Sequence, residues 1–140
     1  MAVAGALEDV RDHWWLIGGS AVALHGLAIG IADVDVLMSE RDMRHVMAKL
    51  NLAAQQGVAI DRVRSEIWAR WAALPLAVDL MTGLQIRTGE TWTRVVPATR
   101  DAIKVDGAML YVPSRAELAG ICRLFGRPKD LERAAGLEDL

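Results

Sequence analysis

The chain has 140 residues, more than half of them apolar, a net charge of −2 and a single cysteine. That length suffices for one domain with its own hydrophobic core, and the apolar share excludes a disordered chain. Acids and bases are mixed throughout with no basic block or tail, which speaks against broad non-specific nucleic-acid binding.

The lone Cys122 leaves no internal disulfide and fits a reducing cytoplasm. The first residues, Met1 to Leu7, are apolar but have no basic flank and soon meet Glu8 and Asp9, so no signal peptide is expected. The apolar stretch from Trp14 to Ala32 is interrupted by Gly18-Gly19 and is not expected to span a membrane. One domain over residues 1–140, located in the cytoplasm, is the expectation.

In chain order, Val3, Leu7 and Val10 recur at helical spacing and predict a first helix over Val3 to Asp12. Trp14 to Ile17 reads as a short strand, and Ser20 to Leu27 as a helix rich in small residues with Ser20 as its N-cap. Ala32 to Met38 is an apolar strand that carries acids. Ser39 caps a helix from Glu40 to Leu50, with Met43, Val46, Met47 and Leu50 on one face. A turn is expected between Asn51 and Gly57, then a strand over Val58 to Val63; Ser65 to Ala72 is ambiguous. After Pro75 comes a strand from Leu76 to Met81, closed by Thr82-Gly83. Thr91 to Val96 and Ala102 to Val105 read as edge strands, and Asp106-Gly107 as a hairpin turn leading into Ala108 to Val112. Pro113-Ser114 opens a helix through Phe125, and after the break at Gly126-Arg127-Pro128 a last helix runs from Lys129 to about Ala135. Strands and helices alternate first and strands dominate later, which predicts an α/β (α+β) domain with a single mixed β-sheet flanked by helices.

Two features carry chemistry. In Ala32-Asp33-Val34-Asp35-Val36, alternation along a strand puts Asp33 and Asp35 on one face and the valines on the other. A strand entering a core has no packing reason to set two carboxylates side by side, and their repulsion calls for a cation between them. Oxygen ligands suit a hard divalent cation. Upstream, the strand ends in Gly18-Gly19-Ser20, where backbone without Cβ atoms can approach a ligand and a helix begins, an arrangement that suits phosphate. The structural alternatives are a tight strand–helix turn for the glycines and solvated acids at a strand end. His13, His25 and His45 lack metal-ligand spacing, and Trp14, Trp15, Trp68, Trp71 and Trp92 read mostly as core or interface.

Gly-Gly-Ser, a short helix, Asp-x-Asp in an apolar strand, a later acid in Ala77-Val78-Asp79-Leu80-Met81, and Arg127-Pro128-Lys129-Asp130 near the end form an ordered set. That set resembles the nucleotidyltransferase fold of the polymerase-β superfamily, from about Ile17 to Leu131. The small stand-alone minimal nucleotidyltransferases and the related abortive-infection-type toxins look most similar. The resemblance implies that Asp33, Asp35 and Asp79 are catalytic and hold Mg²⁺, with Mn²⁺ as an alternative. It implies that Gly18, Gly19, Ser20 and Lys129 bind the nucleotide, Ser20 through its hydroxyl. Asp79 would help deprotonate the attacking hydroxyl. This chain departs from the pattern at Cys122, where a lysine is common nearby, at Arg133, where an acid is common, and at Ile29 to Ala32, where relatives carry a polar residue.

The implied function is Mg²⁺-dependent transfer of a nucleoside monophosphate from an NTP to a hydroxyl acceptor, with release of pyrophosphate. The acceptor is left open between an RNA end, a protein side chain and a small molecule, and the short chain leaves room for a second subunit, as in a homodimer, to complete the acceptor wall. The alternative is a catalytically degenerate member that binds nucleotide or a partner without turnover. Repulsion among three acids further predicts that Asp79→Asn leaves the metal-free fold as stable as before or more so.

Overall fold

The computed structural model describes residues 2–56 and 62–140. In chain order its elements are α1 (Ala2–Ala6), β1 (Trp15–Ile17), α2 (Gly18–Leu24), β2 (Asp33–Leu37), α3 (Glu40–Leu50), β3 (Gln55–Gln56), β4 (Val63–Arg64), β5 (Ile67–Trp71), β6 (Ala77–Thr82), β7 (Gln85–Thr88), β8 (Thr91–Arg94), β9 (Asp101–Val105), β10 (Ala108–Val112), α4 (Arg115–Phe125) and α5 (Pro128–Glu138). The expected mixed sheet is present, ordered β1-β2-β6-β5-β3. Its one parallel pair is β2 with β6; β1 with β2, β6 with β5, and β5 with β3 run antiparallel. Two smaller sheets join it among the described residues, a β9-β10 hairpin and a three-stranded β4-β7-β8 sheet.

The pleat of β2 and β6 divides the core. Val34, Val36, Val78 and Leu80 point to one face, where they meet Val22, Met43, Val46, Leu118 and Leu137 from the helices and Leu110 and Val112 from β10. Leu37 and Met81 point to the other face, over a second apolar cluster of Ile17, Leu84, Ile86, Val95 and Ile121. Asp33, Asp35 and Asp79 share that second face, toward the end where the apolar cover stops.

Several local readings hold for the reasons anticipated. The Ser39 hydroxyl accepts from the Asp42 amide at 3.2 Å and caps its helix as expected, and the Ser114 hydroxyl accepts from the Glu117 amide at 3.2 Å and caps the helix that Pro113-Ser114 was expected to open. Asp106 and Gly107 both have positive φ, 49° and 82°, as a two-residue hairpin turn requires. Other elements differ. The first helix ends at Ala6 rather than Asp12, because the backbone amides of Arg11 and Asp12 donate to the buried Asp42 carboxylate at 3.0 and 2.7 Å instead of to helical carbonyls. The last helix continues past Ala135 to Glu138, with Gly136 set so closely against the Leu27 side chain that a Cβ would lie 2.8 Å from it. The ambiguous segment 65–72 holds strand β5, and β7 is an unanticipated strand that pairs with β8. Of the strand expected over Val58 to Val63, residues 58–61 lie outside the described residues, as does Gly57 of the expected turn, while Val63 begins β4.

Candidate active site

β2 and β6 pair in parallel with Asp35 directly beside Asp79 and Asp33 beside Ala77. Neighbouring strands lie about 4.8 Å apart, so this register brings together acids far apart in sequence. One oxygen from each of Asp33, Asp35 and Asp79 lies within 4.8 Å of the others. Three hard oxygen donors this near one another are of the chemical type that could hold a divalent cation such as Mg²⁺. Asp79 is buried, at 7% exposure, while Asp33 and Asp35 are half-buried and face a cleft.

The three carboxylates are not equivalent. Burial, then the neighbouring charges of Asp33 and Asp79, push the Asp35 carboxyl from its ordinary value of 3.8 up to about 7. Asp79 instead has a cation of its own. Arg70 lies opposite Asp79 across the β5–β6 pair, and its guanidinium forks both oxygens, Nε to Oδ1 at 2.8 Å and Nη2 to Oδ2 at 3.0 Å. The same Nη2 lies 3.6 Å from Asp33 Oδ2. The sequence reading missed Arg70. Its signal was a lone cation inside the apolar run Ile67-Trp68-Ala69-Arg70-Trp71.

The cleft has a volume of about 550 Å³. It is lined by Gly18, Gly19 and Ile31 to Asp33, by Leu118, Ile121 and Cys122 of α4, and by Arg127, the N-cap of α5, with Lys129 and Arg133 within that helix. Gly18 has φ +67°, and a Cβ on it would stand 2.7 Å from Asp35 Oδ2. Two requirements therefore coincide at this glycine, a left-handed backbone and room for a carboxylate. Gly18→Ala should cost about 2 kcal/mol or more and lower the melting midpoint. Gly5→Ala in α1, where the added methyl meets nothing within 4 Å, should not.

The helix after the glycines begins at Gly18, with Ile17 as its N-cap, so Ser20 is not the cap the sequence suggested. Ser20 is buried inside the first turn, and its hydroxyl donates to the Ile17 carbonyl at 3.3 Å. Lys129 is exposed at the cleft. Asp130 is buried and accepts from the Arg127 amide at 3.2 Å and from its Nε at 2.6 Å, which ties down the start of α5. Arg133, one turn further on, lays its guanidinium over Gly19, where an added Cβ would be 3.3 Å from Nη2. Cys122 is a buried free thiol whose pKa burial raises to about 11, so it is no nucleophile at neutral pH. His45 meets Asp9 at 2.8 Å and His25 the Pro113 carbonyl at 2.8 Å, both away from the carboxylates, as structural histidines should.

No protein-family model matches the chain, and no curated protein matches it in sequence. Solved structures do match. A Thermotoga maritima protein assigned to the nucleotidyltransferases superposes with a TM-score of 0.73 at 16% identity, covering 99% of this chain and 87% of that one. The lincosamide antibiotic adenylyltransferase LnuA, solved with lincomycin bound, gives 0.60 at 12% identity, covering 98% and 92%. The antibiotic-resistance factor ANT(2'')-Ia, in complex with adenylyl-2''-tobramycin, gives 0.56 at 10% identity, covering 96% and 83%. At these identities the likeness concerns backbone, and it extends from end to end. The chain has the nucleotidyltransferase fold.

Proposed function

We propose that this protein is a divalent-metal-dependent nucleotidyltransferase that moves a nucleoside monophosphate from an NTP to a hydroxyl acceptor. The observation that carries the reading is the convergence of Asp33, Asp35 and Asp79 to within 4.8 Å beside a cleft that Arg127, Lys129 and Arg133 also line. Asp33, Asp35 and Asp79 would hold Mg²⁺ or Mn²⁺, which when bound neutralises phosphate charge and raises the acidity of the acceptor hydroxyl. The glycine backbone at Gly18 and Gly19 lets the triphosphate approach closely. Lys129 supplies a flexible charge and Arg133 a planar fork for its non-bridging oxygens. The acceptor oxygen forms a bond to the α-phosphorus, the bond to the pyrophosphate oxygen breaks, and the acceptor proton passes to Asp79. Ser20, committed to Ile17, contributes through the shape of the turn.

Two of the structural neighbours are solved with antibiotic ligands, LnuA with lincomycin and ANT(2'')-Ia with adenylyl-2''-tobramycin. They favour a small-molecule acceptor over an RNA end or a protein side chain, and the reading places the whole chain in one catalytic domain working in the cytoplasm, with a homodimer closing the acceptor side. No helix among the described residues is long and apolar enough to cross a membrane. A second reading, nucleotide binding without turnover by a catalytically degenerate member of the fold, is favoured by one observation, the Arg70 fork already seated on Asp79.

Two measurements test the reading. Labelled NTPs with Mg²⁺ and cell extract should yield a labelled acceptor. Calorimetry with ATP, GTP, CTP and UTP in Mg²⁺ should give binding of at least one, weakened about tenfold by Arg133→Ala through loss of a charge-assisted contact. Binding without any labelled product selects the second reading; a folded protein that binds none of the four overturns both.

A further inference from the structure

Arg70 stands where a metal-binding site should repel it. Its guanidinium takes both oxygens of Asp79 and reaches toward Asp33, so one side chain is shared between two of the three carboxylates. The position is set by the cross-strand register, not by chance contact of a long surface side chain. The strand around it is anchored, with Ala69 fully buried in the main core and Trp71 packed against it. The Arg70 side chain itself is 44% exposed, so it can swing away without disturbing that core.

A guanidinium forked on a carboxylate takes one lone pair from each of its two oxygens, which leaves fewer for a divalent cation, and the two positive charges repel at that range. From this geometry we infer that Arg70 is the counter-cation of the metal-free site, seated on Asp79 and Asp33, and that a divalent metal binds by displacing it. Arg70 is thus a positioning residue that acts through Asp79. It holds the acids together while the site is empty and sets the metal concentration at which the third ligand is released. The inference rests on the metal-dependent reading of the site and extends it.

The test uses Mn²⁺ alone, its binding followed by electron paramagnetic resonance on the full chain, with thermal melts in EDTA alongside. Arg70→Gln should bind Mn²⁺ about tenfold more tightly than wild type or better, as expected when a competing charge-assisted pair is removed. The same variant should melt lower than wild type in EDTA and regain the difference in saturating Mn²⁺. Arg70→Lys keeps the charge without the fork and should fall between the two. On wild-type protein, the Arg70 Nε–H nuclear magnetic resonance signal should shift and exchange faster as Mg²⁺ is added, a readout that does not depend on any variant folding. Equal or weaker Mn²⁺ affinity in Arg70→Gln, or an Arg70 signal that Mg²⁺ leaves unmoved while metal binds, overturns the displacement and leaves the metal-dependent reading standing. Absence of Mn²⁺ binding by folded wild type and by folded Arg70→Gln overturns both.

Discussion

Asp35→Asn is expected to make the metal-free protein more stable while removing transfer. Asp35 lies outside the Arg70 fork, which goes to Asp79 with Asp33 3.6 Å from the same guanidinium, and the charges of Arg70 and Arg127 offset only part of its upward shift. Burial and two acidic neighbours raise its pKa from 3.8 to about 7. Between those values the folded state holds more protons than the unfolded one. The stability contributed by protonated Asp35 is therefore whole below about pH 4 and is lost as pH rises through about 7. A displacement of that size corresponds to at most roughly 4 kcal/mol. Asparagine cannot ionise and has nearly the same shape, so the variant should lack this fall. Melts in EDTA at pH 4.5, 6 and 8 should show the two proteins converging at the acid end and Asp35→Asn leading at the alkaline end. Curves that stay parallel across that range would mean that Asp35 is not strained. Added Mg²⁺ should raise the wild-type midpoint at pH 8 and leave the variant's nearly unmoved. Transfer should drop roughly 100- to 1,000-fold, the rate equivalent of the several kcal/mol that a correctly held metal supplies.

Asp79→Asn should have the opposite effect on stability and the same effect on transfer. Taken from the sequence, three mutually repelling acids implied that neutralising Asp79 would relieve the fold. The structure reverses that expectation, because Asp79 is buried and carries two short bonds from Arg70. Asparagine keeps at most one acceptor for that fork and no charge. The metal-free protein should lose about 1.5–3 kcal/mol, the range for a hydrogen bond to a charged group. A double variant, Arg70→Gln with Asp79→Asn, should lose less than the sum of the single variants, since both remove the same pair. Should Asp79→Asn melt at or above wild type in EDTA, the Arg70 pair contributes nothing, and the difference between Asp35 and Asp79 disappears. A folded Asp79→Asn that still transfers label would remove Asp79 from the mechanism.

These two residues show where sequence and structure each have authority. Alternation along β2 is a local property of extended backbone, so it was enough to set Asp33 and Asp35 on one face and Val34 and Val36 in the core before any neighbour was known. The caps at Ser39 and Ser114 and the Asp106-Gly107 turn are equally local, each a side chain or a positive φ meeting its own backbone within three residues. The approach of Asp79 was expected only through the order of the motifs, and what realises it is the parallel β2–β6 register, a long-range choice made by burial of Val34, Val36, Val78 and Leu80 on one side. The partner of Arg70 was undecided for the same reason. A cation in an apolar strand can face solvent or a carboxylate, and only pairing with β6 decides between them. The early end of α1 was hidden too, because its cause is the Asp42 carboxylate arriving from α3 to take two backbone amides. The cap of α2 falls at Ile17, three residues earlier than expected, next to Gly18, whose lack of a Cβ leaves room for Asp35, a neighbour the linear sequence does not reveal. Residue types and their spacing determined the chemistry available to this chain; which of its charges meet was decided by strand register and by what the core required on the far side of the sheet.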